Sequence, residues 1–211
     1  AEEIVIRWIE TRTKEELEIY PQVYKLMMDI VDEVFSASFI KPGVTTTTQV
    51  EWGIMQRVND LGLPCWFSPD IDVQRQGSDD PRMVNCVIEE GDIVHCDVGL
   101  ACMGLLTDTQ RNVYIGRKGE DDIPAGIKAA FKTGNRFQDI VRNNYAVGRT
   151  GNEILFASLD QAKAEGIQAM SYCHPIGVFG HSAGPCVGMF DNQGFVPGHG
   201  ELVMHDNTCY A

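Results

Sequence analysis

Over residues 13–38 apolar positions recur at steps of three and four. Leu17, Tyr20, Tyr24, Met27, Val31 and Val34 form one stripe along a helix. Thr13, with Glu16 three residues later, caps its start. Pro21 leaves two readings, a helix that kinks there or one that begins there, and Lys41-Pro42-Gly43 closes it. A second helix opens at Thr48 with Glu51, runs through Val50, Ile54, Val58 and Leu61, and stops at Gly62. Residues 66–74 read as extended. Between Gly91 and Ile115 the period falls to two. Val94, Cys96, Val98 and Leu100 alternate with Ile93, His95, Asp97 and Gly99, and a second alternating run follows Gly104. These runs predict a hairpin bracketed by Gly99 and Gly104. With its loop centred on Cys102-Met103, Asp97 and Asp108 sit directly opposite each other. Pro124 suits the first turn of a helix carrying Ile127, Phe131, Phe137, Ile140 and Val141. A further helix starts at Thr150 with Glu153, carries Leu155, Leu159 and Ala162, and stops at Gly166. A strand over Ile167–Tyr172, a long loop over Pro185–His199 and a last strand from Leu202 to Tyr210 complete the pattern.

Two of these segments resemble each other. The stretch from Gly43 and the stretch from Gly148 share Gly-x-Thr, a capped helix and a glycine stop. Short amphipathic helices are alike by nature, so the match is either fortuitous or a true repeat. A true repeat predicts two αβ halves related by a pseudo-two-fold axis, with the site between them.

Composition narrows the class. A chain of 211 residues with 44% hydrophobic content suits a globular protein with one good core or two packed halves. Lysine and arginine number 17 against 30 acidic residues, a formal charge of −13 that argues against nucleic acid and anionic membrane surfaces as partners. No apolar run approaches the roughly 20 residues of a membrane span. The acidic start, Ala1-Glu2-Glu3, lacks a signal-peptide pattern, so a cytoplasmic location is expected, with an exported form left open. Seven cysteines without a CxxC pair read as free thiols in a reducing compartment.

Candidate chemistry lies in two clusters. Directly opposed strand side chains lie roughly 4.5–5.5 Å apart at Cβ. Two carboxylates at that distance repel unless a cation lies between them. A pair of divalent metals about 3.5–4 Å apart would relieve Asp97 and Asp108; solvent-facing hairpin carboxylates are the plainer alternative. The second cluster is His174-Pro175-Ile176-Gly177 with His181. Two imidazoles in a Gly- and Pro-rich turn can converge on one point, one as a metal ligand and the other as a donor to a carbonyl or oxyanion.

The order of these residues resembles the pita-bread metallopeptidases, which include methionine aminopeptidase, prolidase and Xaa-Pro aminopeptidase, with creatinase as a non-metal relative. The resemblance runs from about Thr13 to the end and is closest to the Xaa-Pro aminopeptidase branch. It rests on Lys41-Pro42-Gly43-Val44-Thr45, on Gly91-Asp92-Ile93-Val94 with Asp97-Val98-Gly99, on Thr107-Asp108-Thr109-Gln110-Arg111, and on His174-Pro175-Ile176-Gly177 with His181. It implies an α+β pita-bread fold, two pseudo-symmetric αβ halves around a curved antiparallel sheet. It implies a metal-dependent aminopeptidase or dipeptidase that cleaves small peptides at Xaa-Pro bonds with a metal-bridged hydroxide. Asp97, Asp108 and His174 would bind two divalent ions (Mn, Co, Zn or Fe), and His181 would be the catalytic histidine at the substrate carbonyl. The two histidines can also be assigned the other way round; the family spacing favours His174 as ligand. Arg111 would bond a carboxylate behind the ligands, and Glu201 stands in the wrong context to be one. Residues 1–211 would form a single catalytic domain lacking its C-terminal strands, where two further glutamates belong, and any N-terminal prolidase-type domain. No histidine occurs between Gly43 and Val94, so the amino-terminal residue of a substrate would be recognised differently. Relatives often pair, so the resemblance leaves a homodimer open, although no leftover apolar stripe in this sequence compels one. The alternative on the same fold is a non-peptidase, either a creatinase-like or lyase-like enzyme or a metal-free binding module.

Overall fold

A computed structural model describes residues 2–177, 180–181 and 183–211. Val178 and Phe179, inside the second histidine motif, lie outside the described residues. The chain divides into two compact units, Glu18–Ile123 and the combination of Ala1–Leu17 with Pro124–Ala211.

The unit Glu18–Ile123 contains most of helix α2 (Lys14–Val34), helix α3 (Thr47–Asp60) and five short strands. These are β1 (Asp70–Gln74), β2 (Ile93–Val98), β3 (Ala101–Cys102), β4 (Leu105–Leu106) and β5 (Thr109–Tyr114). Strands β1, β2 and β5 form an antiparallel sheet with β2 in the middle. Alternation decides its faces. Val94, Cys96 and Val98 are fully buried with Ile71 and Val73, and they share a core with Met27, Val31 and Val34 of α2 and Val50, Ile54 and Val58 of α3. Each fully buried aliphatic side chain of this kind contributes about 1.5–3 kcal/mol relative to exposure. The opposite face of the sheet is polar.

Thr13 and Glu16 form the expected capping box, with Glu16 N donating to Thr13 Oγ1 at 3.2 Å and Thr13 N to Glu16 Oε2 at 2.7 Å. Helix α2 then runs through Pro21 without a break. Pro21 is exposed and costs the helix one backbone donor, while the buried stripe beyond it anchors the helix. That stripe is Val23, Met27, Ile30, Val31 and Val34; Tyr24 lies at the surface, and the helix ends at Val34 rather than residue 38. Helix α3 begins two residues earlier than the sequence suggested. Thr46 is its cap and Gln49 completes the box, because Gln49 offers the same side-chain acceptor as glutamate.

In the other unit, α1 (Glu2–Glu10) precedes α2, and α4 (Ala125–Asn144) and α5 (Gly151–Ala164) pack together. A small antiparallel sheet follows the order β7-β6-β8, with β6 Pro175–Gly177, β7 Gly180–His181 and β8 Cys209–Tyr210. Ile154, Leu155, Val187 and Met204 form its core. Helix α1 escaped the sequence reading because Ile4, Val5 and Trp8 remain exposed, so no buried stripe marks it. Phe131 of α4 is likewise at the surface. The expected strand over Ile167–Tyr172 forms no ladder, and of Leu202–Tyr210 only Cys209 and Tyr210 join a sheet, with one isolated bridge between Val203 and Thr150.

The two similar segments fold alike. Helices α3 and α5 are each 14 residues long, each is capped by a threonine in a reciprocal capping box, and each cap makes an isolated antiparallel bridge, Thr46 to Val87 and Thr150 to Val203. The interval from Thr46 to Gly62 equals that from Thr150 to Gly166, and both glycines take a left-handed φ, 70° and 75°.

Candidate metal centre

The hairpin that carries the two aspartates turns on Met103 and Gly104, whose φ angles of 55° and 79° are both positive. A two-residue loop of that kind needs a left-handed second residue, and Gly104 supplies it. Placing the loop there, rather than on Cys102-Met103, moves the register by two residues. Asp97 therefore pairs with Gln110, not with Asp108. A two-residue shift leaves every side chain on its own face, so Asp108 remains beside Asp97 as a diagonal neighbour.

Just before Asp108 the ladder opens. Trp66 Nε1 donates to Thr107 O at 2.6 Å, and Leu100 N donates to Thr107 Oγ1 at 3.1 Å. Gly99 lies under the indole, and a Cβ there would collide with Trp66 Nε1 and Thr107 O. The glycine thus permits the close crossing that fixes the backbone next to Asp108.

The carboxylates crowd each other. Burial, followed by the charge and contact of Asp108, pushes the Asp97 carboxyl from its ordinary 3.8 up to about 6. Gln110 Nε2 donates to Asp97 Oδ2 at 3.2 Å. Asp97 Oδ1 is buried and accepts no hydrogen bond among the described residues. A buried acceptor of this kind is costly unless something electropositive meets it, and a divalent cation fits that requirement.

The two histidines meet in the other unit. Ile176 pairs with His181 and Gly177 with Gly180 across the β6–β7 hairpin. His174 is two residues before Ile176, so it falls on the same face as His181. The ring centroids are 4.3 Å apart. His174 is buried, and its Nδ1 lies 3.2 Å from Pro175 O, placed to donate, which directs Nε2 away from the backbone. His181 is exposed. Tyr172 flanks His174 at 5.3 Å between ring centroids.

Two sequence expectations are answered here. Among the described residues Arg111 bonds no carboxylate; it donates to Tyr24 OH at 3.0 Å and to Met28 Sδ at 3.3 Å. It pairs with Cys96 and so projects on the helix side of the sheet, away from Asp97. Glu201 caps its own 3-10 turn, accepting from Gly198 N at 2.8 Å. The seven cysteines are all free, and burial pushes the Cys96 thiol up to about 12.

The polar neighbours of Asp97 emerge only from the strand register. Asp70, Asp72, His95 and Gln110 share its face, and Arg82 bonds both Asp70 and Asp72. The signal was present in parity, since positions 70, 72, 95, 97, 108 and 110 fall on one side once the register is known.

Helices and antiparallel strands, with paired carboxylates on one hairpin and paired imidazoles on another, mark an α+β protein of pita-bread architecture. The sequence profile of metallopeptidase family M24 matches residues 22–209, and the chain belongs to that family. Comparison with curated proteins gave no match. Among solved structures, the X-Pro aminopeptidase of Thermotoga maritima superposes with a TM-score of 0.76 at 18% identity, covering 100% of this chain and 56% of that one. The Xaa-Pro dipeptidase of Bacillus anthracis gives 0.73 at 20% identity, covering 98% and 55%. The prolidase of Pyrococcus furiosus gives 0.71 at 18% identity, covering 99% and 58%. The chain spans about half the length of these structures, and at such identities the likeness establishes a shared fold.

Proposed function

We propose that the chain is catalytic sequence of a metal-dependent aminopeptidase or dipeptidase that hydrolyses small peptides, with the bond preceding proline as the preferred target. Asp97, Asp108 and His174 are the residues we assign to two divalent ions, manganese being the first to test. The observation that carries the reading is the Asp97–Asp108 pair: two crowded carboxylates, one with a buried oxygen that no donor among the described residues satisfies. When bound, such ions supply Lewis acidity and water activation near neutral pH.

The side chains around them divide the remaining work. Gln110 holds one oxygen of Asp97 and so fixes the plane of the carboxylate. His174, held through Nδ1 at Pro175 O, presents Nε2. His181 is the exposed imidazole beside it, suited to donate a hydrogen bond to the scissile carbonyl as negative charge develops there. Membership of family M24, and the Xaa-Pro enzymes among the structural relatives, support the substrate class.

The test is manganese binding by calorimetry, together with release of proline-containing products from Xaa-Pro peptides with manganese or cobalt added. Binding and turnover that Asp108→Asn abolishes support the proposal. Failure to take up metal, or turnover that a chelator leaves unchanged, refutes it.

A further inference from the structure

The polar face of the β1–β2–β5 sheet holds a continuous chain of hydrogen bonds that ends on Asp97. Arg82 Nε donates to Asp72 Oδ2 at 3.1 Å, and a second guanidinium nitrogen donates to Asp70 at 2.5 Å. Asp72 is only 2% exposed and is paired in register with His95. His95 Nδ1 lies 3.0 Å from Asp72 Oδ2, and His95 Nε2 lies 3.2 Å from Gln110 Oε1, so both ring nitrogens face an oxygen. Gln110 Nε2 then donates to Asp97 Oδ2.

A glutamine amide has one accepting end and one donating end. The Asp97 carboxylate can only accept, so it takes the donating end, and the accepting end is left facing His95. Turning the amide over would set its oxygen against a carboxylate and its NH2 group against the imidazole. The relay therefore engages one Asp97 oxygen, Oδ2, and leaves Oδ1 as the buried oxygen without a donor among the described residues. We propose that Arg82, Asp72, His95 and Gln110 form a positioning relay that presents Asp97 Oδ1 to a cation, with His95 acting mainly through Gln110. The inference rests on the metal role proposed above for Asp97. It adds residues that never touch the ion. Partners behind a ligand commonly govern metal affinity 10–100-fold.

The experiment compares the purified protein with Gln110→Leu, His95→Phe and the double variant. Manganese affinity is read by calorimetry, and the ligand field by the visible spectrum of the cobalt-loaded protein. Gln110 is exposed, so Gln110→Leu is expected to fold, which circular dichroism and the melting midpoint check. The relay predicts a 10–100-fold loss of affinity and an altered cobalt spectrum for Gln110→Leu. His95→Phe should give a smaller loss that nearly vanishes on the Gln110→Leu background, because the two residues act in series. A parent that binds manganese and a Gln110→Leu variant that binds it equally well would overturn the relay and leave the proposed function standing. Full losses that add in the double variant would overturn the series order. A parent that takes up no manganese or cobalt would overturn the metal role itself, and the relay with it.

Discussion

Glu10 closes helix α1 inside the protein. It is 0% exposed, neither carboxylate oxygen accepts a hydrogen bond among the described residues, and His205 Nε2 stands 3.9 Å away. Burial pushes its carboxyl from the ordinary 4.5 up to about 7, against a smaller opposing pull from Arg7. The folded state therefore holds a proton on Glu10 through a window in which the unfolded chain has lost it. Stability from this group is largest below about pH 4.5, falls as pH rises towards 7, and levels off above that. The shift is about 2.5 units, and at 1.36 kcal/mol per unit the swing is about 3 kcal/mol. Glu10→Gln is neutral at every pH and removes the swing. A buried amide has its own cost, but that cost is constant and cancels when two pH values are compared. Urea denaturation of parent and variant at pH 4.5 and pH 8 is the assay. The stability of the variant relative to the parent should improve by about 3 kcal/mol on going from the acidic to the alkaline condition. Parallel pH profiles for the two proteins would refute the argument, and so would a variant that loses ground as pH rises.

Two further outcomes follow from local geometry. Gly99→Ala forces a methyl group against Trp66 Nε1 and Thr107 O, and it should cost on the order of 3 kcal/mol in denaturant unfolding, with the fluorescence of Trp66 changed, as overpacking and a lost hydrogen bond combine. Thr46→Ala and Thr150→Ala should each cost about 1 kcal/mol, and similar values for the two would reflect the matching caps of α3 and α5.

Much of this fold was visible in residue order, and the failures have local causes. Long periodic stretches such as Val23–Val34 and the alternation around Val94–Val98 announced their elements, because burial on one side leaves a repeating trace. Helix starts were harder where threonines run together: Thr45 to Thr48 offer several caps, and only the structure shows that Gln49 answers Thr46. The short strands β6 to β8 pair over two or three residues, too few to leave a periodic signature. The carboxylate pair and the histidine pair were found from chemistry and spacing. The residues behind them were not, since His95 and Gln110 become neighbours of Asp97 only after the strands are aligned.

The tip formed by Met103 and Gly104 acts as a ruler for everything upstream of it. Removing or adding one residue there would slide β5 by a single step against β2 and exchange its inner and outer sides. Arg111 would then stand among the acids and Gln110 against the helices, although no residue of either strand had changed. Length polymorphism at this tip should therefore be tolerated in steps of two and rejected in steps of one.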